Sequence, residues 1–262
     1  MSMASKIAND EALIKSIKQL MWKAGDAILE VYKRDDFGTE IKGDDSPVTQ
    51  ADLAAHNVLV AGLAELTPDI PVVSEEDKAS LTIPKANPVY WLIDPLDGTK
   101  EFIKRNGEFT CNLALIEHNR VTLGFVGVPA LEELYVGGSA IPSWRTGPAG
   151  KGMRIKHVRS SRKITRVVAS KSHLNEETQA FIDNISGDVE LVQAGSSLKF
   201  LKIATGDADL YPRLAPTCEW DTAAAQAVLE GAGGKVTQAN GGPMIYGKDE
   251  ILNPHFIASA IE

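Results

Sequence analysis

The stretch YWLIDPLDGTKEF, residues 90–102, carries an apolar run directly into Asp94, Pro95, Asp97, Gly98 and Thr99. A run of this kind reads as a buried strand, so the Asp94 carboxylate emerges at the strand end. Pro95 removes a backbone donor and stops regular pairing, which brings Asp97 back to the same rim. Gly98 lets the backbone approach a ligand closely, and Thr99 opens a short helix, TKEFI, whose free amides can hold a phosphate. Two carboxylates beside an amide nest suit a divalent cation that holds a phosphoryl group. Taken alone, Asp97-Gly98 reads equally well as an Asx turn that only reverses the chain.

Two further acidic stretches change that balance. Glu75, Glu76 and Asp77 end the predicted strand IPVVSEED, and Asp221 lies at the start of the Ala-rich helix EWDTAAAQAVLEGAGG. Separately, Asp221 reads as an N-cap and SEED as a solvated loop. Gathered by the fold, these carboxylates repel and raise one another's pKa, a cost that bound cations remove. Mg²⁺ suits hard oxygen ligands of this type, and no basic partner is evident in the sequence to replace it. Asp52, in SPVTQAD, is either another N-cap or a general base that works with Thr99 on an attacking water.

The elements that must position these groups follow from periodicity. Leu13, Ile14, Ile17, Leu20, Met21, Ala24, Ile28 and Val31 recur at helical spacing and predict one helix from Ile7 to Tyr32. ADLAAHNVLVAGLAEL predicts a second, ended by Pro68. VYWLID is a continuous apolar strand, FTCNLALIEHNRVTLGFVGVP a hairpin, and LEELYVGG a further strand. The Pro/Gly/Ser-rich stretch SAIPSWRTGPAGKG suggests a soft boundary near residue 140, dividing an N-terminal α+β domain, 1–140, from a C-terminal α/β domain, 141–262. Beyond it, RVVASK, NEETQAFIDNI, VELVQAG, SSLKFLKIATG, ADLYPRL, DTAAAQAVLEGAGG and KVTQA alternate strand and helix, the pattern of a layered α/β fold.

Composition narrows the partners. With 262 residues, 44% of them hydrophobic, the chain can bury one large core or two modest ones. A formal charge of −8 argues against a groove for a nucleic-acid polymer, while a small anion remains compatible if cations reverse the local sign. Cys111 and Cys218 form no motif and read as reduced thiols, which predicts a cytoplasmic protein, with peripheral attachment at the inner membrane left open. No run approaches the roughly 20 apolar residues of a membrane helix.

In order and spacing, SPVTQAD, VVSEED, WLIDPLDGTKEF and EWDTAAAQAVLEGAGG resemble the Mg²⁺-dependent, lithium-sensitive phosphatases of the inositol monophosphatase superfamily. These blocks span residues 46–234. AGSSLKFLKIATGDADLYPRLAPTCEWDTAAA and ILNPHFIAS look most like its CysQ-type 3'(2'),5'-bisphosphate nucleotidases, which remove the 3'-phosphate of adenosine 3',5'-bisphosphate. The resemblance implies an α-β-α-β-α fold and two or three Mg²⁺ ions held by Glu75, Asp94, Asp97, Asp221 and the Leu96 carbonyl. It implies catalysis by Asp52 and Thr99 with Glu75, and phosphate contacts from Gly98 and Thr99. Nucleotide contacts would come from His173, Ser196, Lys199, Arg213 and Asp221. Ser74 departs from the pattern, since many relatives have Gly there.

Three other readings stay open at this point. D-P-L-D-G-T is one residue longer than the DxDGT of haloacid-dehalogenase-type phosphatases, which displaces the second carboxylate from the acid-base position. A metal- or nucleotide-binding sensor keeps the same residues without turnover. Inositol monophosphatase or sugar bisphosphatase activity shares the same core, and oligomeric state is open.

Overall fold

The computed structural model describes residues 1–43, 47–155, 164–169 and 175–260. The expected first helix is two, α1 (Met3–Asn9) and α2 (Glu11–Tyr32). Asp10 lies between them in extended conformation and accepts from Leu13 N, so its capping bond competes successfully with continuation of the helical period. A two-residue pair, β1 (Glu40–Ile41) and β2 (Pro47–Val48), leads into α3 (Gln50–Leu66).

β3 (Val72–Ser74), the short α4 (Ile83–Ala86), β4 (Val89–Asp97) and α5 (Thr99–Ile103) carry the first acidic groups. β5 (Thr110–Glu117), β6 (Arg120–Val128), β7 (Glu133–Gly138), β8 (Trp144–Thr146) and β9 (Gly152–Arg154) then complete a seven-stranded sheet, ordered β3 to β9. Only its β3–β4 pair is parallel. The Pro/Gly/Ser-rich stretch near 140 thus holds β8 and the loops that join it to β7 and β9. Ser143, fully buried, ties that loop to the C-terminal half through Val228 O at 2.6 Å.

The second sheet has five strands. β10 (Ile164–Ala169), α6 (Glu176–Asp183), β11 (Asp188–Gln193), α7 (Leu198–Ala204), β12 (Leu210–Arg213), α8 (Glu219–Gly231), β13 (Lys235–Gln238) and β14 (Phe256–Ser259) follow in the chain. The spatial order is β11-β10-β12-β14-β13. All the strands and helices expected after residue 160 are present, and β14 adds the strand formed by FIAS.

Alternation sorts the large sheet's side chains into two cores. Trp91, Ile93, Leu113, Leu115, Leu123 and Phe125 pack with α1, α2 and α3, while Tyr90, Leu92, Ala114, Ile116 and Val126 pack with α7, α8 and the second sheet. The two sides differ in size. Ala114 pairs with Gly124 where Ala-rich α8 crosses, and a Cβ on Gly124 would stand 2.2 Å from Ala224 O. A one-residue slip would drive Trp91 into that contact, so side-chain volume pins a register that polarity alone would leave loose. With α6 against β12, the order is α-β-α-β-α.

Candidate active site

The β4 register places Asp94 opposite Asn112 and Asp97 opposite Thr110, with an irregularity between the two aspartates. Pro95 causes it, since the strand there lacks an N–H. Leu96 N turns back to Asp94 Oδ1 at 3.1 Å. Gly98, at φ 89°, then swings the chain into α5. A side chain at this position would meet strain from that φ and crowding from Glu108 O at 3.1 Å and Ser196 Cβ at 3.2 Å.

Asp52 and Asp221 are third residues of their helices rather than N-caps. Thr49 caps α3, and Asp52 Oδ2 accepts from Thr49 N and Thr49 Oγ1, each at 2.7 Å. Cys218 caps α8, and Asp221 Oδ2 accepts from Cys218 N at 2.8 Å. In each capping box one carboxylate oxygen is spent on the cap, which fixes where the side chain points. Asp52 thereby reaches Thr99, whose Oγ1 donates to Asp52 Oδ1 and lies equally close to Leu96 O, both at 3.3 Å.

One carboxylate oxygen each from Asp94, Asp97 and Asp221 lies within 4.8 Å of the others. Glu75 stands beside this group, with its N–H on Ile93 O and its carboxyl in hydrogen-bond reach of Asp94. It has a basic partner that sequence reasoning missed: Lys42 Nζ bonds Glu75 Oε1 at 2.8 Å and Glu76 Oε1 at 2.7 Å. Ser74 accepts from Glu76 N and bonds His56 Nδ1 at 2.8 Å, so this serine anchors the acidic turn.

Burial, then the neighbouring carboxylates, raises the Asp94 and Asp221 pKa values well above the usual range. Burial raises Glu75 as well, against the pull of Lys42, and pushes Asp52 up to about 6. A carboxyl with a raised folded pKa destabilises the fold as pH rises from the unfolded value, about 4, through the folded one. In chelator the protein is therefore expected to melt at a lower temperature at pH 7 than at pH 5. Asp221→Asn should flatten that dependence in a thermal melt. An unchanged slope would mean that these carboxylates do not carry it.

Beside the cluster opens a cleft of about 150 Å³, lined by Gly98, Glu101, Ser196, Lys199, Tyr211 and Arg213 among others. Lys199 is buried, with Nζ 5.5 Å from the Tyr211 ring centre, and burial lowers its pKa to about 8 despite the Asp97 charge. Arg213 donates from Nη2 to Pro216 O at 2.7 Å, while its buried Nε has no hydrogen-bond partner among the described residues. Ser196, at φ 50°, donates to Asp97 Oδ2 at 2.6 Å, so its hydroxyl is engaged with the cluster. His173 lies outside the described residues.

Along nearly its whole length the chain is similar to known proteins. The sequence profile of the inositol monophosphatase family matches residues 9–261. The 3'(2'),5'-bisphosphate nucleotidase CysQ of Escherichia coli K12 is 44% identical over 253 residues, which cover 94% of this chain and 99% of that protein. The CysQ of Buchnera aphidicola is 38% identical, covering 95% and 94%. The crystal structure of CysQ from Bacteroides thetaiotaomicron superposes with a TM-score of 0.85 at 39% identity, over 96% of this chain and 98% of that one. The chain belongs to the inositol monophosphatase family.

Proposed function

We propose that the protein is a Mg²⁺-dependent phosphomonoester hydrolase that converts adenosine 3',5'-bisphosphate and water into AMP and phosphate. The observation that carries this is the carboxylate cluster opening onto a cleft with two cations, Lys199 and Arg213. The nucleotidase relatives, 44% identical, support the choice of substrate. Two cysteines without a disulfide suit a cytoplasmic setting, and among the described residues no helix is long and apolar enough to cross a membrane. The lithium sensitivity of such phosphatases belongs to the same proposal.

The donor set fits Mg²⁺: hard carboxylate oxygens crowded together, with burial and repulsion disfavouring the charged forms of Asp94 and Asp221. Asp94, Asp97, Asp221, Glu75 and the Leu96 carbonyl would hold two or three ions. Bound, the metal would offset these charges and polarise the phosphoryl oxygens. The remaining steps belong to the chain. Gly98 and Thr99 face the phosphate, and Thr99, bonded to Asp52, orients a water toward phosphorus. As the water oxygen bonds to phosphorus, the bond to the 3'-oxygen breaks, one of the water's protons passes toward Asp52, and the 3'-oxygen leaves as the alcohol with a proton taken from solvent, to which Asp52 later returns its own.

Lys199 and Arg213 would bind the remote 5'-phosphate. Their charges lower substrate free energy without touching the reacting phosphorus. Arg213→Ala should thus reduce kcat/KM for adenosine 3',5'-bisphosphate by roughly ten- to hundredfold, one or two charge-assisted bonds, and spare a minimal phosphomonoester. The assay is a panel that adds the phosphosulfate analogue, inositol 1-phosphate and fructose 1,6-bisphosphate. Preference for either of the last two would replace the nucleotidase reading with a sister activity. Equal losses on all substrates would place Arg213 in the catalytic core.

A further inference from the structure

β5 is buried at every position, yet its first three residues include two polar side chains, Thr110 and Asn112. Two residues apart, they share one face of the strand, opposite Asp97 and Asp94. Thr110 Oγ1 meets Ser196 Oγ at 2.7 Å. Asn112 Oδ1 is buried without a hydrogen-bond partner among the described residues, so the amide carries a desolvation cost that an apolar side chain would avoid. The amide nitrogen, by contrast, is engaged, with Nδ2 donating to Ser197 Oγ at 3.1 Å.

Ser197 is 1% exposed and touches both halves of the carboxylate cluster. Its N–H donates to Asp97 Oδ2 at 2.7 Å, and its hydroxyl donates to the Asp221 backbone carbonyl at 2.8 Å. A serine hydroxyl has a single hydrogen. With Asn112 Nδ2 donating to the oxygen, that hydrogen is directed at Asp221. One residue therefore joins the end of β4, in the large sheet, to the first turn of α8. The Asp97 carboxylate and the Asp221 backbone cannot move apart without breaking one of these bonds, and the Asp221 carboxylate is held to that first turn by Cys218 N.

We propose that Ser197, aimed by Asn112, is a positioning residue that sets the separation of the Asp97 and Asp221 carboxylates and hence the affinity of the cluster for Mg²⁺. This rests on the cluster holding Mg²⁺, as argued above. Mg²⁺ tolerates little departure from its short, near-octahedral oxygen geometry, so a small displacement of α8 is felt as lost affinity.

The test compares two buried serines that each donate to a carbonyl of α8. Ser197 does so at the cluster, and Ser143 does so at Val228 O, in the second half of the helix. Mg²⁺ is titrated calorimetrically into phosphate-free wild type, Ser197→Ala and Ser143→Ala, with thermal melts in chelator alongside. Ser197→Ala is expected to weaken Mg²⁺ binding by about three- to tenfold, the worth of one hydrogen bond. The Mg²⁺ concentration for half-maximal hydrolysis should rise by the same factor. Ser143→Ala should lower the melting temperature and leave Mg²⁺ affinity unchanged. Wild type that binds no Mg²⁺ would remove the functional reading itself. Normal Mg²⁺ affinity in Ser197→Ala, or equal weakening in both variants, would overturn the positioning role alone. Should Ser197→Ala fail to fold, Asn112→Ala, which removes the aiming donor and keeps the serine, is held to the same comparison.

Discussion

Asp94→Asn is expected to fold normally, to melt at a higher temperature than wild type in chelator, and to lose hydrolysis by roughly three orders of magnitude or more. The asparagine is nearly isosteric and keeps an oxygen for Leu96 N, which donates to the Asp94 carboxylate. It removes a charge that is 1% exposed, disfavoured by burial and then by Glu75, Asp97 and Asp221. Relief of that repulsion accounts for the gain in the metal-free state. The same change deletes a hard anionic ligand, and metal-ion stabilisation of phosphoryl transfer contributes several kcal/mol, at about 1.4 kcal/mol per decade of rate. Mg²⁺ should correspondingly raise the melting temperature of wild type more than that of the variant. A variant that unfolds would assign Asp94 a structural role, and one that retains turnover would remove it from the site.

The parts of this site that are legible in the sequence are those whose chemistry is local in the chain. Asp94 and Asp97 stand out because a Pro, a Gly and a Thr surround them at the end of an apolar run, and that run is β4. Asp221 stands out because an Ala-rich helix follows it, and the small side chains have a reason in the approach of α8 to Gly124. What is not legible depends on contacts distant in sequence. Lys42 sits in a polar loop with nothing to mark it, and its place on Glu75 exists only after β1 and β2 fold over the acidic turn. Ser197 has the look of an ordinary helix start. Thr110 and Asn112 do leave a signal, two polar residues at strand spacing in an apolar run, but their partner lies across the fold.

Other differences have equally specific causes. β8 and β9 are three-residue strands at one end of the large sheet; β8 runs from exposed Trp144 to buried Thr146, and edge strand β9 is exposed throughout and starts at Gly152, so neither alternation nor an apolar run announces them. The break at Asp10 comes from a capping bond that the hydrophobic period cannot register, since apolar residues keep helical spacing across it. Both differences lie in elements that carry none of the clustered carboxylates.

Asp52→Asn separates proton transfer from metal binding. In wild type, Asp52 Oδ2 is held by Thr49 N and Thr49 Oγ1, which leaves Oδ1 to receive Thr99 Oγ1. An asparagine can turn its oxygen to the two Thr49 donors, keeping the capping box of α3 and thus most of the stability. Its amide then faces Thr99 as a donor, where a proton acceptor is needed. Thr99 Oγ1 is left to donate to Leu96 O, its other neighbour at 3.3 Å, and the route from water to carboxylate is closed. The expected loss in kcat is about 10²- to 10⁴-fold, the usual worth of a general base, with Mg²⁺ affinity within about twofold of wild type. The pH profile gives a second readout. Asp52 must be ionised to act, so wild-type kcat/KM should rise with pH along an acid limb, with a midpoint near or below about 6 because bound cations favour the carboxylate over the metal-free value. Asp52→Asn should lose that limb. Mg²⁺ affinity that collapses with activity would make Asp52 a metal ligand, and an intact rate would reduce it to its part in the capping box of α3.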